Sequence, residues 1–313
     1  MKSLRYLSWT FLYAFVLGST ISYAASSNFA TKVSSLKDKM DAAGLRTETK
    51  LNIKTDAIRA AGNSLAKAFE EISPENEYYI GRSVAATLLT KYDTYKADKL
   101  EQYLNSICQT LVINSDVPEI YNGYHVKLLD STEVNAFATS GGHIFITKGL
   151  VSCTSNEDCL AAVIAHELGH IQLKHGLKAI KNDRFMNATK QTAKAVVSST
   201  DKIQADAMDG MVNDVMSQMV TNGYSQKQEF EADAFAVKLL ETSGYAPSEM
   251  ITMLELIDKN QKNSKSGMYK THPSPKSRIT NVKANMGKNA NSIKVNEIRT
   301  ERYNKIMSDY AGK

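Results

Sequence analysis

The sequence predicts an α+β fold that is mainly helical, with a small antiparallel sheet. Three observations carry this. Apolar residues recur at helical spacing over most of the chain. A short block between residues 124 and 147 reads as strands and holds a double glycine. An unbroken apolar run, Cys159-Leu160-Ala161-Ala162-Val163-Ile164-Ala165, reads as a buried helix and leads straight into His166-Glu167-Leu168-Gly169-His170.

The chain has 313 residues, 42% of them hydrophobic, enough for one large domain or two small ones. Its formal net charge of +5 comes from lysines spread along the chain. No arginine-rich block or aromatic-interleaved basic tract is present, so a solvated surface is expected and no nucleic-acid partner. Residues 1–24 fit an export signal. Lys2 and Arg5 form the positive start, Trp9 to Leu17 the apolar core, and Ser22-Tyr23-Ala24 the small-residue cleavage site before Ala25. No cysteine follows that core, so no lipid anchor is expected; an uncleaved membrane anchor is the competing reading. No later stretch approaches the ~20 apolar residues of a spanning helix. The expected mature protein is soluble, without a transmembrane span, and exported to the periplasm. Secretion is the alternative.

Residues 25–72, with Val33, Leu36 and Met40 at helical spacing, predict a polar N-terminal helical region. The main domain is expected over 73–285. Ser73-Pro74-Glu75 is a helix start, with a cap, a proline at the first helical position and an acid in the first turn. A second helix is expected from Ala97 to Val112. Tyr124 to Leu129 predicts a strand. Val134 to Ala138 and His143 to Thr147 predict a hairpin around Ser140-Gly141-Gly142. If Gly141 and Gly142 lie on a sheet edge, an extended peptide could add to that edge through main-chain hydrogen bonds; ordinary sheet structure is the other reading. Cys153 and Cys159 flank the turn into the buried helix. Export makes a bridge between them chemically feasible, against the alternative of three reduced thiols that include Cys108. Ser155 and Asp158 suggest a capping box for that helix, which is expected to run to about Lys181.

The H-E-x-x-H spacing has a mechanical meaning. Residues i and i+4 share one helix face, so His166 and His170 can both aim an imidazole nitrogen at a single Zn²⁺. Glu167 can then reach a water on the metal and take its proton. Gly169 in mid-helix costs about 1 kcal/mol against alanine, which suggests that another backbone passes close by. A catalytic zinc needs a third protein ligand. Leu173 and Gly176 stand where a nearby glycine and histidine would have to be, and His175 falls one residue early and is unassigned. A later helix, opened by Ser225 and Gln228, offers Glu229 and Asp233 one turn apart. Glu229 can ligate the metal while Asp233 accepts the other N–H of a ligand histidine. Glu231 points to the other side.

Between these helices, residues 182–224 carry Met208, Met211, Met216 and Met219 at near-helical spacing. They fit either methionine packing or a client-binding lid. Residues 286–313 are expected to form a charged helical tail.

His166-Glu167-Leu168-Gly169-His170, Glu229 to Phe235 and Thr271-His272-Pro273 resemble the gluzincins of the CAAX prenyl protease and HtpX type, metallopeptidase family 48. So do Asn135-Ala136-Phe137-Ala138, Gly141-Gly142, Ser73-Pro74-Glu75 and Gly81. The resemblance spans roughly residues 73–280. It implies a zincin-like metalloprotease domain holding one Zn²⁺ per chain through His166, His170 and Glu229, with Glu167 as catalytic base. It implies that His272 lies at the metal cleft, either stabilising the oxyanion or occupying the open metal position. It gives Arg278 the task of orienting Glu229 or a neighbour. It points to the soluble exported bacterial branch. The substrates implied are unfolded or misassembled envelope proteins, with outer-membrane assembly components as partners. The rival is a chaperone or assembly factor on the same fold with a latent, gated protease; the intact Glu167 argues against a dead enzyme.

Overall fold

A computed structural model describes residues 72–180, 201–261, 267–272, 275–287 and 292–311. The expected export signal, nearly all of the N-terminal helical region and the first part of the 182–224 insert lie outside these residues.

Helix α1 (Pro74–Leu88) starts as expected: the Ser73 hydroxyl accepts from the Asn76 amide at 3.1 Å, and Pro74 supplies the first turn. Helix α2 (Asp98–Val112) buries Leu100, Leu104, Ile107, Leu111 and Val112 along one stripe against the sheet. The strands are β1 (His125–Leu129), β2 (Ala136–Thr139) and β3 (His143–Thr147). The hairpin forms around Gly141 and Gly142, whose φ values of +75° and +90° suit glycine.

The sheet is mixed, not wholly antiparallel. Its order is β1-β3-β2, with β1 parallel to β3 and β2 antiparallel to β3. Segment 130–135 carries the chain past β3 before the hairpin turns back, so β1 meets the middle strand instead of β2. The hairpin turn is also not an open edge. Gly141 packs onto the backbone of Tyr78 in α1, and Gly142 onto the Gly123 carbonyl. Both glycines are buried; among the described residues β2 is an outer strand of the sheet, and its four residues are themselves buried.

Helix α3 (Lys148–Cys153) leads into α4 (Glu157–Gln172), which is buried almost throughout. Asn156, rather than Ser155, caps α4, its side chain accepting from the Cys159 amide at 2.8 Å. Asp158 is committed elsewhere: it accepts from the Ala246 amide and from Arg299. The expected Cys153–Cys159 bridge is absent, and all three thiols are free. Cys159 enters the core, while Cys153 lies beside Asn260.

Helix α4 ends at Gln172, well short of Lys181. Lys174 adopts φ +57°, its amide donates to the Ile171 carbonyl at 2.9 Å, and the His175 amide donates to the His170 carbonyl at 3.0 Å. This is a Schellman ending, usually built on glycine.

Helix α5 (Asp201–Met216) lies against α1, and the π-turn that follows it (Ser217–Asn222) packs against the short helical turn Met268–Thr271. Met211, Met216 and Met219 are buried there, as packing would have them. Helix α6 (Gln226–Thr242) opens with the full Ser225–Gln228 capping box and packs along α4. A Cβ on Gly169 would stand 3.1 Å from the Ala232 backbone of α6, which accounts for the mid-helix glycine. Helices α7 (Glu249–Gln261), α8 (Met268–Thr271) and α9 (Pro275–Asn285) close the far side.

Helix α10 (Glu297–Ala311) docks on α2 and α4. Arg299 forks onto Asp158 and Arg302 onto Glu157, and the Tyr303 hydroxyl donates to the Thr154 carbonyl at 2.6 Å. The Tyr103 and Tyr245 hydroxyls also donate to Glu157. These acids occupy the first turn of α4, where the helix dipole favours them. Among the described residues, no helix is long and apolar enough to cross a membrane.

Candidate active site

The neighbouring faces of α4 and α6, with the turn after α8 and one arginine of α9, enclose a buried polar cluster. His166, Glu167, His170, Glu229, His272, Asp233 and Arg278 are all at most 2% exposed. His166 and His170 lie one turn apart on α4, and their Nε2 atoms are 3.1 Å apart. His272 Nδ1 lies 3.2 Å from His166 Nε2 and 3.0 Å from Glu229 Oε1. Glu229 is 3.6 Å from both His166 Nε2 and His170 Nε2.

Each of the four groups thus offers one ligand atom, all within 4.8 Å of one another. Donors about 2.0–2.1 Å from a single ion in a tetrahedron lie roughly 3.3–3.4 Å apart. The observed contacts of 3.0–3.6 Å bracket that spacing. Three imidazoles and a carboxylate are the donor chemistry of a transition-metal site. Both Glu167 oxygens are buried without a hydrogen-bond partner, the condition of a carboxylate that faces a reacting centre. The residues present therefore fit a bound divalent metal.

Burial and the neighbouring imidazoles hold His170 well below its ordinary pKa, so it is neutral, as ligation requires. Burial is the largest single influence and works to raise the Glu229 and Asp233 carboxyls, but the Arg278 guanidinium together with the neighbouring imidazoles, His272 and His166 at Glu229 and His166 at Asp233, outweighs it and keeps both below the usual range. Arg278 Nε and Nη2 donate to Asp233 at 2.8 and 2.6 Å. Its Nη1 makes an ion pair with Glu229 Oε2 at 2.7 Å, without hydrogen-bond alignment. Asp233 lies 3.1 Å from His166 Nδ1, so that nitrogen donates outward and Nε2 keeps its lone pair for the cluster. Burial raises the Glu167 carboxyl above the ordinary range.

Three residues of this site escaped the sequence reading. The Tyr224 ring stacks on His170 with centroids 4.0 Å apart and an angle of 23°. His175 Nδ1 lies 3.0 Å from His170 Nδ1, and His175 Nε2 lies 3.3 Å from Glu231 Oε2. Burial and the Lys178 charge push His175 down to about 4, so it too is neutral. The available signal was the position of His175, five residues past the second motif histidine, where a Schellman ending folds the chain back. Of the other histidines, His125 and His143 stay on the sheet, away from the cluster.

The model of peptidase family M48 matches residues 98–286. The chain belongs to this family. The family is one of metallopeptidases, metal-dependent hydrolases of peptide bonds. Among its relatives is a beta-barrel assembly-enhancing protease of Escherichia coli O157:H7, 30% identical over 59% of this chain and 38% of the relative. Metalloprotease LoiP of Escherichia coli (strain K12) is 29% identical over 51% of the chain and 62% of the relative. Mitochondrial metalloendopeptidase OMA1 of Schizosaccharomyces pombe is 24% identical over 69% and 63%. The match with the beta-barrel assembly-enhancing protease spans well under half of that protein's own length.

Proposed function

We propose that the chain is a zinc endopeptidase that cleaves unfolded or misassembled envelope proteins in the periplasm. The observation that carries the chemistry is the four-donor cluster beside the unpartnered Glu167 carboxylate. His166, His170 and Glu229 hold the ion. Zinc bound there polarises the scissile carbonyl and acidifies water. Glu167 removes the proton from the attacking water and returns it to the leaving amine. Asp233 orients His166, and Arg278 fixes Glu229 and Asp233 in place. The outer strand β2 would offer an extended substrate a main-chain partner, which makes cleavage tolerant of sequence. The envelope role and the link to outer-membrane assembly rest on the names of the bacterial relatives.

Hydrolysis of casein by the purified chain, with zinc content measured beside it, tests this reading. Glu229→Ala is expected to lower zinc affinity by at least about 100-fold, and Glu231→Ala far less. Equal effects would reject Glu229 as the third ligand.

One His272 ring nitrogen lies within 4.8 Å of the three ligand atoms, so His272 could take a fourth position on the ion. This favours a gated resting site. His272→Ala is expected to raise casein hydrolysis several-fold, by roughly 3- to 10-fold, because it opens that position. A fall of tenfold or more would instead give His272 a part in stabilising the transition state.

A further inference from the structure

Helices α4 and α6 end in the same backbone motif with different side chains. In α6 the left-handed position is Gly244, and the Tyr245 amide donates back to the Leu240 carbonyl at 2.9 Å. The residues brought together there are apolar, as is usual for this ending. In α4 the left-handed position is Lys174, where glycine would be unstrained. The residues brought together are two histidines, His175 and His170.

The hydrogen bonds along this line decide where the protons sit. Glu231 can only accept, so the His175 nitrogen facing it, Nε2, carries the proton. The Nδ1 atoms of His175 and His170 face each other 3.0 Å apart, so one donates and the other accepts. The lone pair of His170 belongs on Nε2, the atom that faces His166 and Glu229 in the donor cluster, so its proton sits on Nδ1 and His175 Nδ1 is the acceptor. The reverse arrangement would put a bare Nε2 against a carboxylate.

We infer that His175 and Glu231 form a positioning relay that selects the tautomer of His170 and aims its Nε2 at the metal. The relay deepens the metal-centre reading and rests on it. It does for His170 what Asp233 does for His166, with one difference. The buried Asp233 acts directly, whereas Glu231 is part-exposed, carries Lys227 at 3.8 Å, and acts through a second imidazole. The Schellman turn is what delivers that imidazole. A helix continuing past Leu173 would carry position 175 to another face. His175 and Glu231 are positioning residues, since neither reaches the metal or a substrate.

The test is the Zn²⁺ affinity of the purified chain, measured by competition with a chromogenic chelator. Long-range ¹H–¹⁵N spectra of histidine-labelled protein report the His170 tautomer beside it. His175→Phe keeps the ring volume and removes the acceptor, and is expected to weaken zinc binding by about 10- to 100-fold. His175→Asn leaves an acceptor near the Nδ1 position and is expected to stay within about threefold of the parent. Glu231→Ala should fall between them, and the Nδ1–H form of His170 should lose its dominance in the Phe variant. Glu229→Ala serves as the control. If it binds zinc as the parent does, the metal-centre reading falls. If it loses zinc while His175→Phe stays within threefold, the relay alone falls. Equal losses in His175→Phe and His175→Asn would also overturn it. Should the Phe variant fail to fold by circular dichroism, Glu231→Ala decides: unchanged affinity and tautomer would reject the relay.

Discussion

Glu167→Gln is expected to retain its metal and lose peptide hydrolysis by about 10²- to 10⁴-fold. The substitution is nearly isosteric, and Glu167 is not among the four groups that share the donor cluster. His272 Nε2 lies 3.6 Å from Glu167 Oε1. Neither carboxylate oxygen has a hydrogen-bond partner, so an amide there breaks no existing contact. Folding should survive, and removing a buried carboxylate held above its ordinary pKa should not destabilise the chain. What disappears is the base. Casein hydrolysis and zinc content in one preparation check this. Turnover within tenfold of the parent would sink the assignment, and loss of zinc would move Glu167 into the ligand set.

Arg278→Met is expected to destabilise the metal-free chain by about 3–5 kcal/mol. The guanidinium is fully buried and is the cation shared by Glu229 and Asp233. Methionine fills part of the volume and leaves two buried carboxylates without their counter-charge. For a chain of this size the loss corresponds to a fall in Tm of roughly 6–20 °C. The pH dependence has a definite sign. In the parent both carboxyls are held low, so their contribution is present above the unfolded carboxylate range and fades as pH falls through their depressed values. In the variant burial is opposed only by the neighbouring imidazoles, so both carboxyls rise, and the penalty is greatest near neutral pH and shrinks on acidification. Urea unfolding with a chelator present, at about pH 7 and about pH 5, checks both claims. A deficit below 1 kcal/mol, or one that grows on acidification, would show that the pair is solvated after all.

What could be read from the sequence was local or periodic. The Ser73 cap, the Ser225–Gln228 box and the close pass at Gly169 each depend on residues a few positions apart or on one missing side chain. The i, i+4 spacings of His166–His170 and Glu229–Asp233 are helix geometry, and the structure gathers all four in one cluster. What could not be read was set by distant partners or by a local rule broken at one residue. The strand order depends on where segment 130–135 carries the chain, and no residue in the hairpin encodes that. Asp158 was assigned to a cap because its partners, Ala246 and Arg299, are far away in sequence. His175 was lost through a single assumption. Counting helical turns on towards Lys181 turns it away from the metal, whereas a left-handed Lys174 folds it back over His170. A glycine at 174 would have announced the turn.

The grip of α10 on α4 bears on the order in which this molecule can assemble. Arg302 and Glu157 are 145 residues apart in sequence, and Arg299 and Asp158 are 141 apart. Arg278 reaches His166 across 112 positions, and His272 across 106. The His166–His170 and His170–His175 pairs are short-range contacts. Such distant contacts require large loops to close before any of them contributes, which slows folding. While the chain is being made, the motif helix therefore carries a matched pair of histidines and little else of the site. Its two leading acids gain their cations only after α10 has been synthesised, and the cluster around the motif closes only once His272 and Arg278 have been added, so the assembled site is a late product of folding.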